Sequence, residues 1–237
     1  MATSPERLRV AVVGASGYVG AELVRLLASH PHVDLAAVTA NEAAGRPIAD
    51  VHQNLRGLDL VLGELEDVGD GAAIFLARPN GETMGVVDGL PDRPLVDTSA
   101  DFRLRDEVEY EAYYGKAHAC FARVGEFTYG LPELFRSRLR EARHVAAPGC
   151  FATATTLALY PLVAAGLDGA VVVNAVTGSS GSGARPKQKA HHPFRADSLF
   201  AYEPFRHRHV PEVAQALRDA TGRAVEMVFQ PHSGPFV

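Results

Sequence analysis

Of the two cysteines among the 237 residues, only Cys150 stands where a thiol becomes a nucleophile. A strand-like run over residues 143–147 feeds a Pro148-Gly149 corner, and small and apolar residues from Cys150 to Tyr160 predict a helix. The thiol therefore falls in a helix's first turn, where backbone N–H groups lack intrahelical acceptors and the dipole is positive. Such a setting raises the thiolate fraction, and thiolate is the reactive form. Outside that setting a single cysteine is ordinarily a small buried hydrophobe. Cys120, in an irregular stretch before Phe121, has no such setting.

A thiol nucleophile needs a proton-handling partner. His191-His192 and His207-Arg208-His209 are the candidates, and one of these histidines is read as the acid/base group. His-x-His can also chelate a metal, but no companion Cys or carboxylate cluster has metal-site spacing, so no metal is expected. The same stretch is cationic: Arg185, Lys187, Lys189, Arg195, Arg206 and Arg208 face only Asp197 and Glu203. It opens on Gly178-Ser179-Ser180-Gly181-Ser182-Gly183-Ala184-Arg185. Composition alone makes that a flexible linker; beside arginines, its N–H and hydroxyl groups suit an anionic substrate.

Other elements must bring a cofactor to that thiol. Leu8 to Val13 is an apolar run suited to a buried parallel strand. Gly14-Ala15-Ser16-Gly17-Tyr18-Val19-Gly20 follows, and residues 19–28 predict a helix stopped by His30-Pro31. Strand, glycine turn, helix is the dinucleotide-binding order, here with G-x-x-G-x-x-G spacing. The glycines let the backbone approach a pyrophosphate, and the helix start supplies N–H groups. A second strand over 33–38 ends on Thr39-Ala40-Asn41 with Arg46 nearby and no acid at the strand end. Small polar groups and a cation suit a 2′-phosphate, so NADP is expected over NAD. Further strands over 72–77 and 95–97 end in Arg78-Pro79-Asn80-Gly81 and Thr98-Ser99-Ala100-Asp101-Phe102-Arg103, turns that belong at ligand-binding strand ends. Read blandly, Asp101 and Arg103 form a salt bridge that ties a loop down. Residues 105–127 read as an irregular excursion, and Tyr129-Gly130-Leu131-Pro132-Glu133 as the entry to a helix with proline near its first position. Strands are expected over 170–176 and 224–229, with a helix between them over 210–221.

Composition sets bounds. A hydrophobic share of 47% supports a sizeable core in one large or two small domains. The net charge of -5 and the absence of a long basic run argue against nucleic acid as a partner. No apolar stretch approaches the ~18–20 residues of a membrane helix, and residues 1–7 lack an apolar signal core. Two cysteines make no disulfide framework, which points to a reducing, cytoplasmic location.

Together these stretches resemble N-acetyl-gamma-glutamyl-phosphate reductases of arginine biosynthesis. The matching segments are Gly14 to Gly20, Ser99 to Arg103, Tyr129 to Glu133, Pro148-Gly149-Cys150, Gly178 to Arg185, His191-His192-Pro193 and His207 to Glu212, in that order. The resemblance implies NADPH-dependent reduction of an acyl phosphate to an aldehyde through a thioester. Cys150 is then the nucleophile and His209 the acid/base residue. The implied fold is α/β: a Rossmann-type dinucleotide-binding domain over 1–149, then an α+β catalytic domain from 150 of the kind seen in glyceraldehyde-phosphate dehydrogenases, with a largely antiparallel sheet, usually in an oligomer. Motifs and resemblance together put cofactor contacts on Gly14, Ser16, Gly17, Tyr18, Val19, Gly20, Thr39, Arg46, Pro79, Ser99, Ser180 and Gly181. They put substrate contacts on Arg103, Glu133, Arg185, His192 and Arg195.

The chain departs from the family in three places. Ala147 stands where the family often has Asn, Asn80 stands where it often has His, and family members run longer by far more than loop variation. The second domain is therefore expected to be incomplete at Val237. The sister reductase of lysine biosynthesis, acting on an N-blocked or carrier-bound aminoadipyl phosphate, is the nearest alternative. An inactive NADP-binding fragment is the other.

Overall fold

The computed structural model describes residues 7–69 and 73–237. Residues 1–6, and Ala72 at the start of the expected third strand, lie outside the described residues. The first unit runs β1 (Leu8–Val13), α1 (Tyr18–Ala28), β2 (Val33–Thr39), α2 (Ile48–Val51), β3 (Ala73–Leu76), β4 (Leu95–Asp97), α3 (Glu107–Tyr114), β5 (Phe127–Tyr129), α4 (Pro132–Glu141) and β6 (His144–Ala146). The second runs α5 (Cys150–Ala164), β7 (Val171–Thr177), α6 (His192–Arg195), β8 (Phe200–Ala201), α7 (His209–Thr221) and β9 (Met227–Ser233).

The first six strands form one parallel sheet in the order β2-β1-β3-β4-β6-β5. Over residues 10–13 and 73–76 its central strands β1 and β3 are apolar on both faces, because both faces are covered there. Ala11 and Val13 enter a cluster with Ile74, Leu76, Phe102 and Tyr110. Val12, pointing the other way, packs with Val24, Ile48 and Leu62. Each buried Val, Ile, Leu or Phe side chain among these contributes ~1.5–3 kcal/mol. The excursion over 105–127 is more regular than expected. Asp106 caps α3 through the amides of Val108 and Glu109, and Gly115 closes it in the left-handed conformation.

The second sheet has the order β7-β9-β8. The expected antiparallel character is corrected here: β7 and β9 pair in parallel over seven residues, and only the two-residue β8 runs antiparallel. Parallel neighbours need a crossover, and α7 supplies it. The last strand also lies later than expected, at 227–233 rather than 224–229, and includes Pro231. Proline is tolerated there because β9 pairs with β8 only at His232 and Ser233. Helices α5 and α7 cover one face through Ala152, Leu159, Val163, Val213 and Leu217. On the other face Val172, Val176 and Val228 are exposed.

Candidate active site

The strand order sets the C-terminal ends of β1, β3, β4 and β6 along one edge of the first sheet. Corners β1–α1 and β6–α5 are thus three strand spacings apart, ~14 Å.

In the β6–α5 corner, Cys150 is the first residue of α5 with Gly149 as N-cap, and its side chain is exposed. The corner is held on all sides. The Ala147 amide donates to the Asp97 carbonyl (2.7 Å), and Arg103 Nε donates to the Ala147 carbonyl (2.8 Å). The Gly149 carbonyl accepts from the amide and hydroxyl of Thr153 (2.8 and 3.0 Å). The Gly149 amide donates to Glu212 Oε1 at 2.8 Å. Ala147 therefore leaves the corner tied through its backbone without an asparagine side chain.

Glu212 comes from the first turn of α7 and is completely buried. A bare carboxylate there would cost several kcal/mol. Three donors offset that cost: the Gly149 amide, Tyr129 Oη at 2.8 Å, and Arg103 Nη1 at 3.5 Å. Arg103 Nη2 also donates to the Thr98 carbonyl at 2.9 Å. One turn earlier on α7 lies buried His209. A methyl group built on Gly149 would collide with His209 Nε2, sit 2.8 Å from its Cε1 and 2.9 Å from Arg103 Nη1. The His209 imidazole thus lies against the residue that precedes the thiol.

His207 is packed among rings behind His209. Its ring stacks on Phe229 (5.3 Å between centroids) and meets Phe151, Tyr202 and His209 edge-on. Its Nδ1 accepts the His209 amide at 3.2 Å. Burial holds both imidazoles neutral, pushed down to about 3, with Arg103 and Arg208 adding to the effect at His209 and His209 and Arg208 at His207. His209 is therefore a neutral imidazole beside the residue that precedes the thiol, and not a standing cation.

The β1–α1 corner is built differently. Gly14 has φ +91°, and a Cβ there would lie 2.5 Å from the Ala77 carbonyl oxygen. A Cβ on Gly20 would lie 2.7 Å from the Ala15 Cα. On Gly17, the N-cap of α1, it would meet only the Gly14 oxygen at an ordinary 3.7 Å. No side chain caps α1. The first-turn amides of Tyr18, Val19 and Gly20 are those a helix leaves without partners, and they suit a phosphate. Thr39 shapes the corner from behind, its carbonyl accepting the Gly14 and Ala15 amides. Arg46 is exposed, 3.5 Å from the Asp50 carbonyl. Pro79 lies in the exposed turn after β3.

Several expected contacts find other partners. Arg195 is corrected from substrate contact to fold element: buried, it donates to Ser233 Oγ and the Gly234 carbonyl and lies over the Phe200 ring. Ser99 is likewise turned inward, with its hydroxyl and amide on Asp97 and its Oγ accepting the Asp101 amide. Asp101 and Arg103 do not pair. Asp101 receives the Gly81 and Met84 amides, and Arg103 binds Ala147, Thr98 and Glu212. Glu133 is exposed in the first turn of α4, and His192, Ser180, Gly181 and Arg185 are exposed along the cationic stretch. Glu212 is the residue that sequence reasoning missed. Its signal was its place three residues after His209, on the same helix face. Among the described residues no group of three His, Cys, Asp or Glu is placed to hold a metal ion. Among them, too, no helix is long and apolar enough to cross a membrane.

Known proteins share both the sequence and the architecture. The semialdehyde dehydrogenase NAD binding domain matches residues 9–142, and the semialdehyde dehydrogenase dimerisation domain matches residues 150–237. An N-acetyl-gamma-glutamyl-phosphate reductase of Rhodospirillum rubrum is 45% identical over 97% of this chain and 68% of its own length. A relative in Thermococcus kodakarensis, named as a LysW-L-2-aminoadipate/LysW-L-glutamate phosphate reductase, is 46% identical over 88% of this chain and 62% of its own. The chain thus spans about two thirds of the length of these relatives. The aspartate semialdehyde dehydrogenase of Candida albicans, solved with NADP, superposes with a TM-score of 0.67 at 15% identity, covering 98% of this chain and 69% of that one. The chain belongs to the semialdehyde dehydrogenase family, beside relatives named N-acetyl-gamma-glutamyl-phosphate reductases.

Proposed function

We propose that this chain carries the catalytic apparatus of an NADPH-dependent N-acetyl-gamma-glutamyl-phosphate reductase, working in the cytoplasm as part of a homo-oligomer. The observation that carries the reading is the neutral His209 laid against Gly149, next to an exposed Cys150 at a helix start. His209 takes the thiol proton as Cys150 attacks the acyl phosphate carbon. Phosphate leaves and a thioester remains on Cys150. NADPH, when bound, supplies the hydride that reduces that thioester. His209 returns the proton to the thiohemiacetal oxygen, then takes it back as the C–S bond breaks, giving the semialdehyde and the free thiolate.

NADP fits the β1–α1 corner on two counts: the space at Gly17 is open, and the first-turn amides carry no side-chain cap. Gly14 and Gly20 would keep that surface flat, and Tyr18 and Val19 would offer the amides. Thr39 and the exposed Arg46, with no acid at the end of β2, favour the 2′-phosphate form. The anionic substrate would enter past Arg185 and His192. A second reading, reduction of the LysW-borne substrates named for the Thermococcus relative, is favoured by its 46% identity. One methylene discriminates by only ~1–3 kcal/mol.

The test measures phosphate-dependent reduction of NADP by N-acetylglutamate semialdehyde, the reverse reaction, beside the aminoadipate semialdehyde analogue. Turnover that requires phosphate, prefers the glutamate compound and vanishes in Cys150→Ala is expected. A preference for the aminoadipate compound moves the assignment to the second reading. Full turnover in Cys150→Ala removes the mechanism.

A further inference from the structure

The buried carboxylate of Glu212 has no part in the chemistry above, yet it touches every element that frames it. Oε1 accepts from the Gly149 amide, on the thiol's own corner, and from Tyr129 Oη at the end of β5, each at 2.8 Å. Oε2 faces Arg103, whose other N–H groups hold Thr98 and Ala147. Glu212 and His209 share one face of α7, a turn apart. We infer that Glu212 is a positioning residue, a strut that fixes the distance between the Cys150 corner and the His209 imidazole by bonding the one from the helix that carries the other.

This rests on the reading of Cys150 as nucleophile and His209 as its proton acceptor. Being completely buried, Glu212 does not meet the substrate, so its effect belongs in kcat and in the reactivity of the thiol, and not in KM. Reach and charge can be separated. Glu212→Asp keeps the charge but draws the carboxylate back by one methylene from Gly149. Glu212→Gln keeps the reach and the Oε1 acceptor but presents an amide to Arg103.

The experiment compares the two variants by thermal unfolding, by kcat and KM, and by the rate at which iodoacetamide alkylates Cys150. Glu212→Asp is expected to lose ~10²-fold in kcat, the usual cost of a misplacement near 1 Å. It should slow alkylation of Cys150 and leave KM within about threefold. Glu212→Gln should stay within about tenfold of the parent in kcat, losing one charge-assisted contact. If Glu212→Asp does not fold, Tyr129→Phe carries the test: it removes one donor to Oε1 and should slow both kcat and alkylation by about three- to tenfold with KM unchanged. Parent-like kcat and alkylation in Glu212→Asp, or in Tyr129→Phe where that stands in, would overturn the inference. So would equal damage in the Asp and Gln variants, or a rise in KM alone. Alkylation needs neither substrate nor cofactor, so it decides the strut even if the proposed reaction is wrong; failure of that reading would show instead as full turnover in Cys150→Ala.

Discussion

Two glycine-bearing strand-to-helix corners of the molecule are made by opposite means. Both turn from a parallel strand through glycine into a helix without a side-chain cap. At β1–α1 the glycines are demanded by backbone: a side chain on Gly14 would strike Ala77, and one on Gly20 would strike Ala15. The corner closes on itself and leaves room at Gly17. At β6–α5 the glycine is demanded by side chains. Gly149 has an ordinary φ of -68°, and what forbids a methyl group there is His209 and Arg103. The first corner is thus shaped to receive something from outside the chain. The second is finished only by residues from elsewhere in it.

The comparison can be broken most sharply at its second half. His209→Ala is expected to cut turnover by ~10²–10⁴-fold, the size of an acid/base contribution, while His207→Ala, which removes packing around His209, should cost less. The reverse order in steady-state rates would assign the wrong histidine. Gly149→Ala should follow at ~10²-fold, because the methyl group displaces the imidazole; titration should show NADPH binding unchanged. A fully active Gly149→Ala would mean that the second corner is no more side-chain-dependent than the first.

At the first corner the effect is on affinity. Gly17→Ala should weaken NADPH binding by about tenfold, from lost contacts to the phosphates, and leave Tm alone; Gly20→Ala should lower Tm instead. Calorimetry of both variants separates the two, and equal effects would erase the distinction.

The smallest effect concerns pH. Burial, tempered by the Ser99 bonds, pushes Asp97 up to about 6. The folded state therefore holds that proton more tightly than the unfolded chain, and the stability it contributes is lost as pH rises from ~4 through 6. His207 and His209 act in the other sense: pushed down to about 3, they contribute stability above ~6.5 that is lost as pH falls toward 3. Asp97→Asn should raise Tm by a few degrees at pH 7 and leave it nearly unchanged at pH 4. A pH-independent shift would point to a different cause.

The same contrast explains what could be read from the sequence. The β1–α1 corner was legible because its strand, glycines and helix lie within a single short segment. Cys150 was legible for the same reason. Glu212 was not, because a glutamate in the first turn of a helix ordinarily faces water, and only the arrival of Gly149, Tyr129 and Arg103 makes it a buried acceptor. Arg195 misled for a related reason: a cation in a cationic stretch reads as a ligand contact until Ser233 and Gly234, many residues later, take its hydrogen bonds. Helix α3 had a local signal, Asp106 followed by Glu109 and closed by Gly115, that the aromatic character of the stretch obscured. Strand β9 was displaced because Pro231 reads as a terminator, and its tolerance depends on how short its neighbour β8 is.

Contacts across α7 also set an order in time. Arg105 pairs with Asp219, and Gln215 bridges the backbone of Arg103 and Arg105, so the helix that carries His209 docks on a loop made more than a hundred residues earlier. Domains fold from the N-terminus as the chain is synthesised, and distant contacts form late. A nascent chain that has emerged as far as α5 already contains Cys150, before His209 and Glu212 of α7 have been made. In that interval the Cys150 corner lacks the His209 ring and the Glu212 carboxylate that lie against Gly149, and it gains both together when α7 docks.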